Sequence, residues 1–181
     1  MKNKIYFIGG AKGVGKSSLL NSKHIMNKGL EIVNTGDFFN RANKIYNNNV
    51  KENAKEDMLD YLINNSPLIA DTHYAGFLNG IYSGKFERGL YEEELNFLDH
   101  NSELELILIT LDPQIALERR KQDIRNQRDL NYDNLKKEIE ANQLYFAEYC
   151  SQLQKKRTVI ENIDYDISVK NLNKIITPFL F

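Results

Sequence analysis

The sequence predicts an α/β protein of three layers, α/β/α, in which a parallel five-stranded sheet carries helices on both faces. Three observations carry this. Ile5–Ile8 is a continuous apolar run and Leu104–Leu111 nearly so, as strands buried on both faces require. Such runs alternate with segments whose apolar residues recur at helical spacing. The early strands also end in glycine or aspartate, which is turn chemistry.

Taken in order, Ile5–Ile8 stops at Gly9-Gly10, and Lys16 to about Asn27 is helical on Leu19, Leu20, Ile25 and Met26, with Gly29 where a helix ends. Glu31–Asn34 is a second strand, Thr35-Gly36-Asp37 a turn of capping residues, and Phe38 to about Asn47 a helix broken by Asn47-Asn48-Asn49. Asn53–Asn65 places Met58, Leu59, Leu62 and Ile63 on a helix, which Ser66-Pro67 halts before the strand Leu68-Ile69-Ala70, ending at Asp71. The stretch 72–89 has four glycines and poor periodicity. It reads as loop with a short helical turn, long enough to shape a substrate site. Glu92–Leu98 is helical and Leu104–Leu111 is the best strand in the chain. Asp112-Pro113 opens a helix through Ile115, Leu117 and Arg120. After a polar segment from Lys121 to Tyr132 come a long helix from Asp133 to about Lys155, a strand Thr158–Ile163 and a last helix Val169–Ile176. No repeat or linker divides residues 1–181, which form a single domain.

Composition narrows the function classes. The chain has 181 residues, 41% of them hydrophobic and 27% charged, with 24 Lys+Arg against 25 Asp+Glu for a net charge of -1. Disorder is excluded by these values, and no basic sheath for nucleic acid is present. Cys150 stands alone, so an internal disulfide cannot form. With no apolar stretch near the ~20 residues of a membrane span, a cytoplasmic protein without membrane partners is expected. One feature is uneven: four of the seven arginines, Arg119, Arg120, Arg125 and Arg128, fall within ten residues.

The stretch Gly10-Ala11-Lys12-Gly13-Val14-Gly15-Lys16-Ser17 fits G-x-x-x-x-G-K-[ST] in full, between a strand and a helix as the phosphate-binding loop (P-loop) requires. Its glycines let backbone N–H groups turn toward phosphate oxygens, and the helix that follows adds the positive end of its dipole. Gly10, Gly13, Val14, Gly15, Lys16, Ser17 and the adjoining Ser18 are thus the expected ATP-binding residues. Lys16 supplies charge to the β- and γ-phosphates, and Ser17 is a Mg²⁺ ligand. Lys12 reads as a solvated loop charge.

Three clusters address the phosphoryl acceptor, and each has a plainer reading. Asp71, at the carboxyl end of a strand, faces the same crevice as the P-loop and is the candidate carboxylate for Mg²⁺; a capping aspartate is the alternative. His73 orients water, contacts a base or ribose, or has no such role. Thr35-Gly36-Asp37 is either part of a substrate site or simply a helix N-cap. The arginine run is either a solvated face or a set of forked donors for phosphate oxygens.

Together, Gly10–Ser17, Thr35-Gly36-Asp37, Asp71-Thr72-His73, Arg119-Arg120 and Arg128-Asp129 resemble the nucleoside monophosphate kinases of the P-loop NTPase superfamily. The archaeal type of adenylate kinase is the nearest likeness, with an Asp-Thr-His segment and a helix comparable to Leu90–Asn96. The resemblance implies ATP + AMP giving two ADP, with ATP and Mg²⁺ bound. It implies catalytic roles for Lys16, Arg119, Arg120, Arg125 and Arg128, metal ligation by Ser17 and Asp71, and an acceptor site from Thr35, Gly36, Asp37, Arg41 and His73. Acceptor-binding helices are placed at about 37–66 and a lid at about 121–133, and a homo-oligomer is allowed. The chain departs from the bacterial pattern at Asn40, where that branch has arginine, and at Tyr74-Ala75, which follow Asp71-Thr72-His73 without an acceptor-binding arginine. Two other readings stand beside it. One is a nucleotide-switched ATPase similar to the adenylate kinase-like factors of ribosome maturation; nucleic acid is otherwise not expected as a partner. The other is a kinase for a hydroxyl acceptor, for which Asp37 is the only candidate base.

Overall fold

The computed structural model describes residues 4–39, 50–77, 85–123 and 129–176. Its main sheet comprises β1 (Lys4–Gly9), β2 (Glu31–Asn34), β3 (Leu68–Asp71), β6 (Glu103–Thr110) and β7 (Thr158–Glu161), in the spatial order β2-β3-β1-β6-β7. Every neighbouring pair is parallel. A separate antiparallel pair joins β4 (Ala75–Phe77) to β5 (Phe86–Arg88). The helices are α1 (Lys16–Leu20), α2 (Lys23–Met26), α3 (Val50–Asn64), α4 (Glu92–Asn101), α5 (Pro113–Gln122), α6 (Tyr132–Gln152) and α7 (Tyr165–Ile175), with residues 36–39 also helical.

Strand periodicity of two produces two cores, one on each face. Tyr6, Ile8, Ile69, Ile107 and Ile109 face one side and meet Leu19, Leu20, Ile25, Leu117 and Leu172 from the helices. The intervening Ile5, Phe7, Leu68, Ala70, Leu106 and Leu108 face the other, against Met58, Leu62, Leu95, Leu98 and Phe146. This is the three-layer α/β/α arrangement. The long helix α6 serves both cores, placing Leu135 and Ile139 in the first and Phe146, Tyr149 and Cys150 in the second. Among the described residues no helix is long and apolar enough to cross a membrane.

Three elements differ from the sequence expectation. The helix from Lys16 to Asn27 is interrupted at Asn21-Ser22, with Ser22 in extended conformation as the N-cap of α2. Asn and Ser are weaker helix formers than the leucines before them, and Ser22 caps α2 with no side-chain hydrogen bond. The stretch 72–89, expected as loop with a short helical turn, carries the antiparallel pair β4–β5 among its described residues; strands of three residues are too short to show alternation, and residues 78–84 lie outside the described residues. The last helix starts at Tyr165, four residues before Val169, because the Asp164 side chain accepts a hydrogen bond from the Ile167 N–H.

Tyr74 is wedged where the site begins. Wholly buried, its hydroxyl lies 2.8 Å from the Phe7 carbonyl and 3.0 Å from that of Ile107, so its one proton bridges the backbones of β1 and β6. Phe7, Phe146 and Tyr149 surround the ring. On helix α6, Asn142 receives the Tyr74 N–H at 2.9 Å and the Ala75 N–H at 3.3 Å. The chain leaving β3 is thereby fastened to both the sheet and α6.

Candidate functional site

In a parallel sheet, strand carboxyl ends share one edge, and ligands collect where the connections diverge from it. Here that edge carries Asn34 on β2 and Asp71 on β3, paired in register, and Asp71 is also paired with Ile8 on β1. Gly10–Gly15 leaves β1 as a loop and enters α1 with Gly15 as its N-cap. A cavity of about 680 Å³ opens there, lined by loop residues between Ala11 and Ser18, the buried Val14 excepted, together with Asn34, Asp71, His73, Arg119, Asp123 and Asn162.

Lys16 lies at the floor of this cavity. Only 7% of it is exposed, and its ammonium donates to the Gly10 carbonyl at 2.6 Å and the Ala11 carbonyl at 3.4 Å. Ser17 is exposed, and its hydroxyl donates to a carboxylate oxygen of Asp71 at 3.5 Å. The Asp71 carboxyl is held above its ordinary pKa by burial, against the opposing pull of Lys16 and the Ser17 hydroxyl. A hydroxyl and one carboxylate are hard oxygen donors, few enough to leave most of an octahedral shell to phosphate oxygens and water. The residues present therefore fit Mg²⁺. Among the described residues no group of three or more His, Cys, Asp or Glu side chains forms an all-protein metal cage.

His73 is turned toward the loop rather than wholly toward a substrate. Its Nδ1 lies 2.6 Å from the Gly10 carbonyl, an oxygen that can only accept, so Nδ1 carries the proton and Nε2 is the acceptor nitrogen. Burial, with the Lys16 charge second, lowers its pKa well below the ordinary value. This histidine is neutral in the folded chain and binds its proton near pH 6.5 once unfolded. Its share of stability is intact above that pH and declines as pH falls below it, by up to about 1.4 kcal/mol per pH unit. The difference in unfolding free energy between the unaltered chain and His73→Gln is thus expected to change with pH below about 6.5 and be flat above it. Parallel profiles from denaturant titrations would show that His73 is protonated equally in both states.

The two adjacent arginines part company. Arg119 lines the cavity and donates to the Ile163 carbonyl at 3.1 Å. Arg120, given the same expected catalytic role, is 3% exposed and forms an ion pair with Glu138 at 2.7 Å. Its guanidinium also donates to the carbonyls of Lys12 and Asp129. Successive helix residues point about 100° apart, so only one of the pair can face the cavity. Arg125 and Arg128 of the expected lid, and Arg41 of the expected acceptor site, lie outside the described residues.

The acceptor motif is also rearranged. The Thr35 hydroxyl is turned inward, 3.0 Å from that of Thr72 and 3.3 Å from the Asp71 carbonyl, tying β2 to β3. Gly36 donates its N–H to the Asn34 side chain at 3.0 Å and begins the helical turn with Asp37. Thr35, Gly36 and Asp37 are not among the residues lining the cavity, whereas Asn34 is.

Sequence reasoning passed over Asn34, Asn162, Tyr165 and Glu138. Asn162 follows β7 at the same sheet edge, is buried, and donates to the Val14 carbonyl at 2.8 Å. The Tyr165 hydroxyl reaches the Ser18 carbonyl at 3.3 Å and its side chain lines the cavity. The signal available for Asn34 and Asn162 was their place at strand carboxyl ends. Glu138 offered none, since a glutamate on a charged helix looks like a solvated one.

By sequence, the chain matches no protein-family model and no curated protein. By structure it is similar to a shikimate kinase from Bacteroides thetaiotaomicron, with a TM-score of 0.60 and 13% identity over 97% of this chain and 98% of that one. It is also similar to the YorR protein of Bacillus subtilis, solved in complex with phosphorylated GDP, with a TM-score of 0.63 and 16% identity over 94% of each chain. A gluconokinase from Sinorhizobium meliloti gives a TM-score of 0.52 and 10% identity over 96% and 93% of the two chains. At such identities the likeness is one of fold: the chain has the α/β fold of P-loop kinases. These matches give no support to the archaeal adenylate kinase type in particular.

Proposed function

We propose that the chain is an ATP-dependent kinase that transfers a phosphoryl group to a small-molecule acceptor. The observation that carries this is the meeting of Lys16, Ser17 and Asp71 at one open cavity over a complete P-loop. Lys16 would exchange its contacts with the Gly10 and Ala11 carbonyls for phosphate oxygens. Mg²⁺ held by Ser17 and Asp71 would neutralise charge developing on the phosphates. Arg119, which lines the same cavity, would contact ATP.

For the acceptor we infer a nucleoside monophosphate, AMP first. A phosphate monoester is ionised at neutral pH and needs no catalytic base. Positioning and charge stabilisation then suffice. Of the two carboxylates among the described residues that line the cavity, Asp71 is engaged with Ser17 and Asp123 closes α5, and Asp37 is not among the lining residues. A hydroxyl acceptor is the second reading, favoured by the shikimate kinase and gluconokinase among the similar folds, whose named acceptors present hydroxyl groups.

The test is ADP production from Mg-ATP, with AMP, CMP, UMP and GMP set against nucleosides, shikimate and gluconate. Stimulation by a nucleoside monophosphate supports the first reading and stimulation by an alcohol the second. ATP hydrolysis indifferent to every acceptor would overturn both and point to a nucleotide-switched ATPase.

A further inference from the structure

At Lys12 the P-loop is held from behind on both sides of the residue. The Lys12 N–H donates to Glu138 Oε1 at 2.7 Å, and the Lys12 carbonyl receives the guanidinium of Arg120, with Nε at 3.1 Å. Arg120 and Glu138 are each 3% exposed and bonded to one another at 2.7 Å. Both faces of the Lys12 residue are thus tied to a buried ion pair lying outside the cavity. The peptide groups flanking Lys12 consequently point away from the ligand, and the turn toward the phosphates must begin at Gly13.

We propose that Glu138 and Arg120 are positioning residues that hold the P-loop in its phosphate-receiving shape. The inference rests on the kinase reading above. A buried ion pair is weak evidence for stability, because its desolvation cost rivals its attraction and an apolar pair of similar volume often serves as well. Here each partner also bonds a backbone group of the loop, which an apolar pair cannot replace. The pair's role is therefore in shape rather than in folding energy. If unpinning lets the loop adopt other conformations so that about one chain in ten is competent, apparent phosphate affinity falls about tenfold.

The test uses calorimetric binding of ATP and of inorganic tripolyphosphate, which lacks a base and reports on the loop alone. Glu138→Gln keeps one acceptor oxygen and is expected to show a partial loss. Glu138→Ala leaves Arg120 buried without its partner and is prone to unfold. The double variant Arg120→Met with Glu138→Leu removes both charges and should keep a melting temperature close to that of the unaltered chain. It is expected to bind both ligands about tenfold more weakly, by equal factors. A folded double variant that binds both as tightly as the unaltered chain overturns the inference. So does a loss confined to ATP, which would place the effect at the base rather than the loop. Failure of the unaltered chain to bind ATP overturns the kinase reading and this inference together.

Discussion

Lys16→Ala is expected to lower kcat about 10²–10³-fold, the usual consequence of removing one preorganised group that meets charge developing in a transition state. The chain should remain folded. The Lys16 ammonium bonds loop carbonyls, at 2.6 Å to Gly10 and 3.4 Å to Ala11, and belongs to neither sheet core. A second readout comes from His73. After burial, the charge on Lys16 is the next cause that lowers the pKa of this histidine, and it also lowers that of Asp71. In the variant both should titrate at higher pH, observable by NMR of the His73 ring. Turnover retained at the unaltered level, with that NMR shift present, would mean that the P-loop lysine does not serve phosphoryl transfer.

Gly10→Ala is expected to cost several kcal/mol of stability, far more than the same change at a second left-handed glycine. Gly10 sits at φ 149, and a Cβ placed there would lie 2.1 Å from the carbonyl oxygen of Ile109 on β6. The obstacle is backbone, so no side-chain rotation relieves it. Strained backbone contributes about 1–3 kcal/mol, and the overlap about as much again. Against a typical total of about 5–15 kcal/mol, that lowers the melting temperature by about 5–20 degrees. Gly29→Ala is the control. Its φ of 70 is also left-handed, but nothing lies within 4 Å of the added Cβ, so a loss of only about 1 kcal/mol is expected. Equal melting shifts for the two variants would show that conformation alone, and not the approach of β6, requires glycine at position 10.

Gly10 is also the first residue of the phosphate motif, which explains why this part of the protein was so legible. The motif is contiguous, its chemistry belongs to the backbone, and the flanking strand and helix announce themselves by periodicity. The ends of β2 and β3 were readable for the same reason: Glu31–Asn34 and Leu68–Asp71 are short apolar segments closed by polar residues, and the sheet edge follows from their being parallel. The pairing of β4 and β5 was not, because it joins residues nine or more positions apart in strands too short for a pattern. Nor was the inward turn of Thr35, whose hydroxyl meets a partner, Thr72, that lies 37 residues away in the chain.

The arginines mark the boundary most clearly. By itself the sequence determined that a phosphate loop exists, that it joins the first strand to the first helix, and that the sheet is parallel with covered faces. Those properties depend on neighbours in the chain. It did not determine which of Arg119 and Arg120 meets the cavity. Both close the same helix, and either orientation is consistent with residues 113–122 alone. Only packing against α6 decided it. There Glu138 offers a buried carboxylate to one face of α5, which captures Arg120 and leaves Arg119 at the cavity wall. A charge costs too much to bury without its counter-charge, so the position of Glu138, 18 residues further along the chain, sets which arginine lines the cavity.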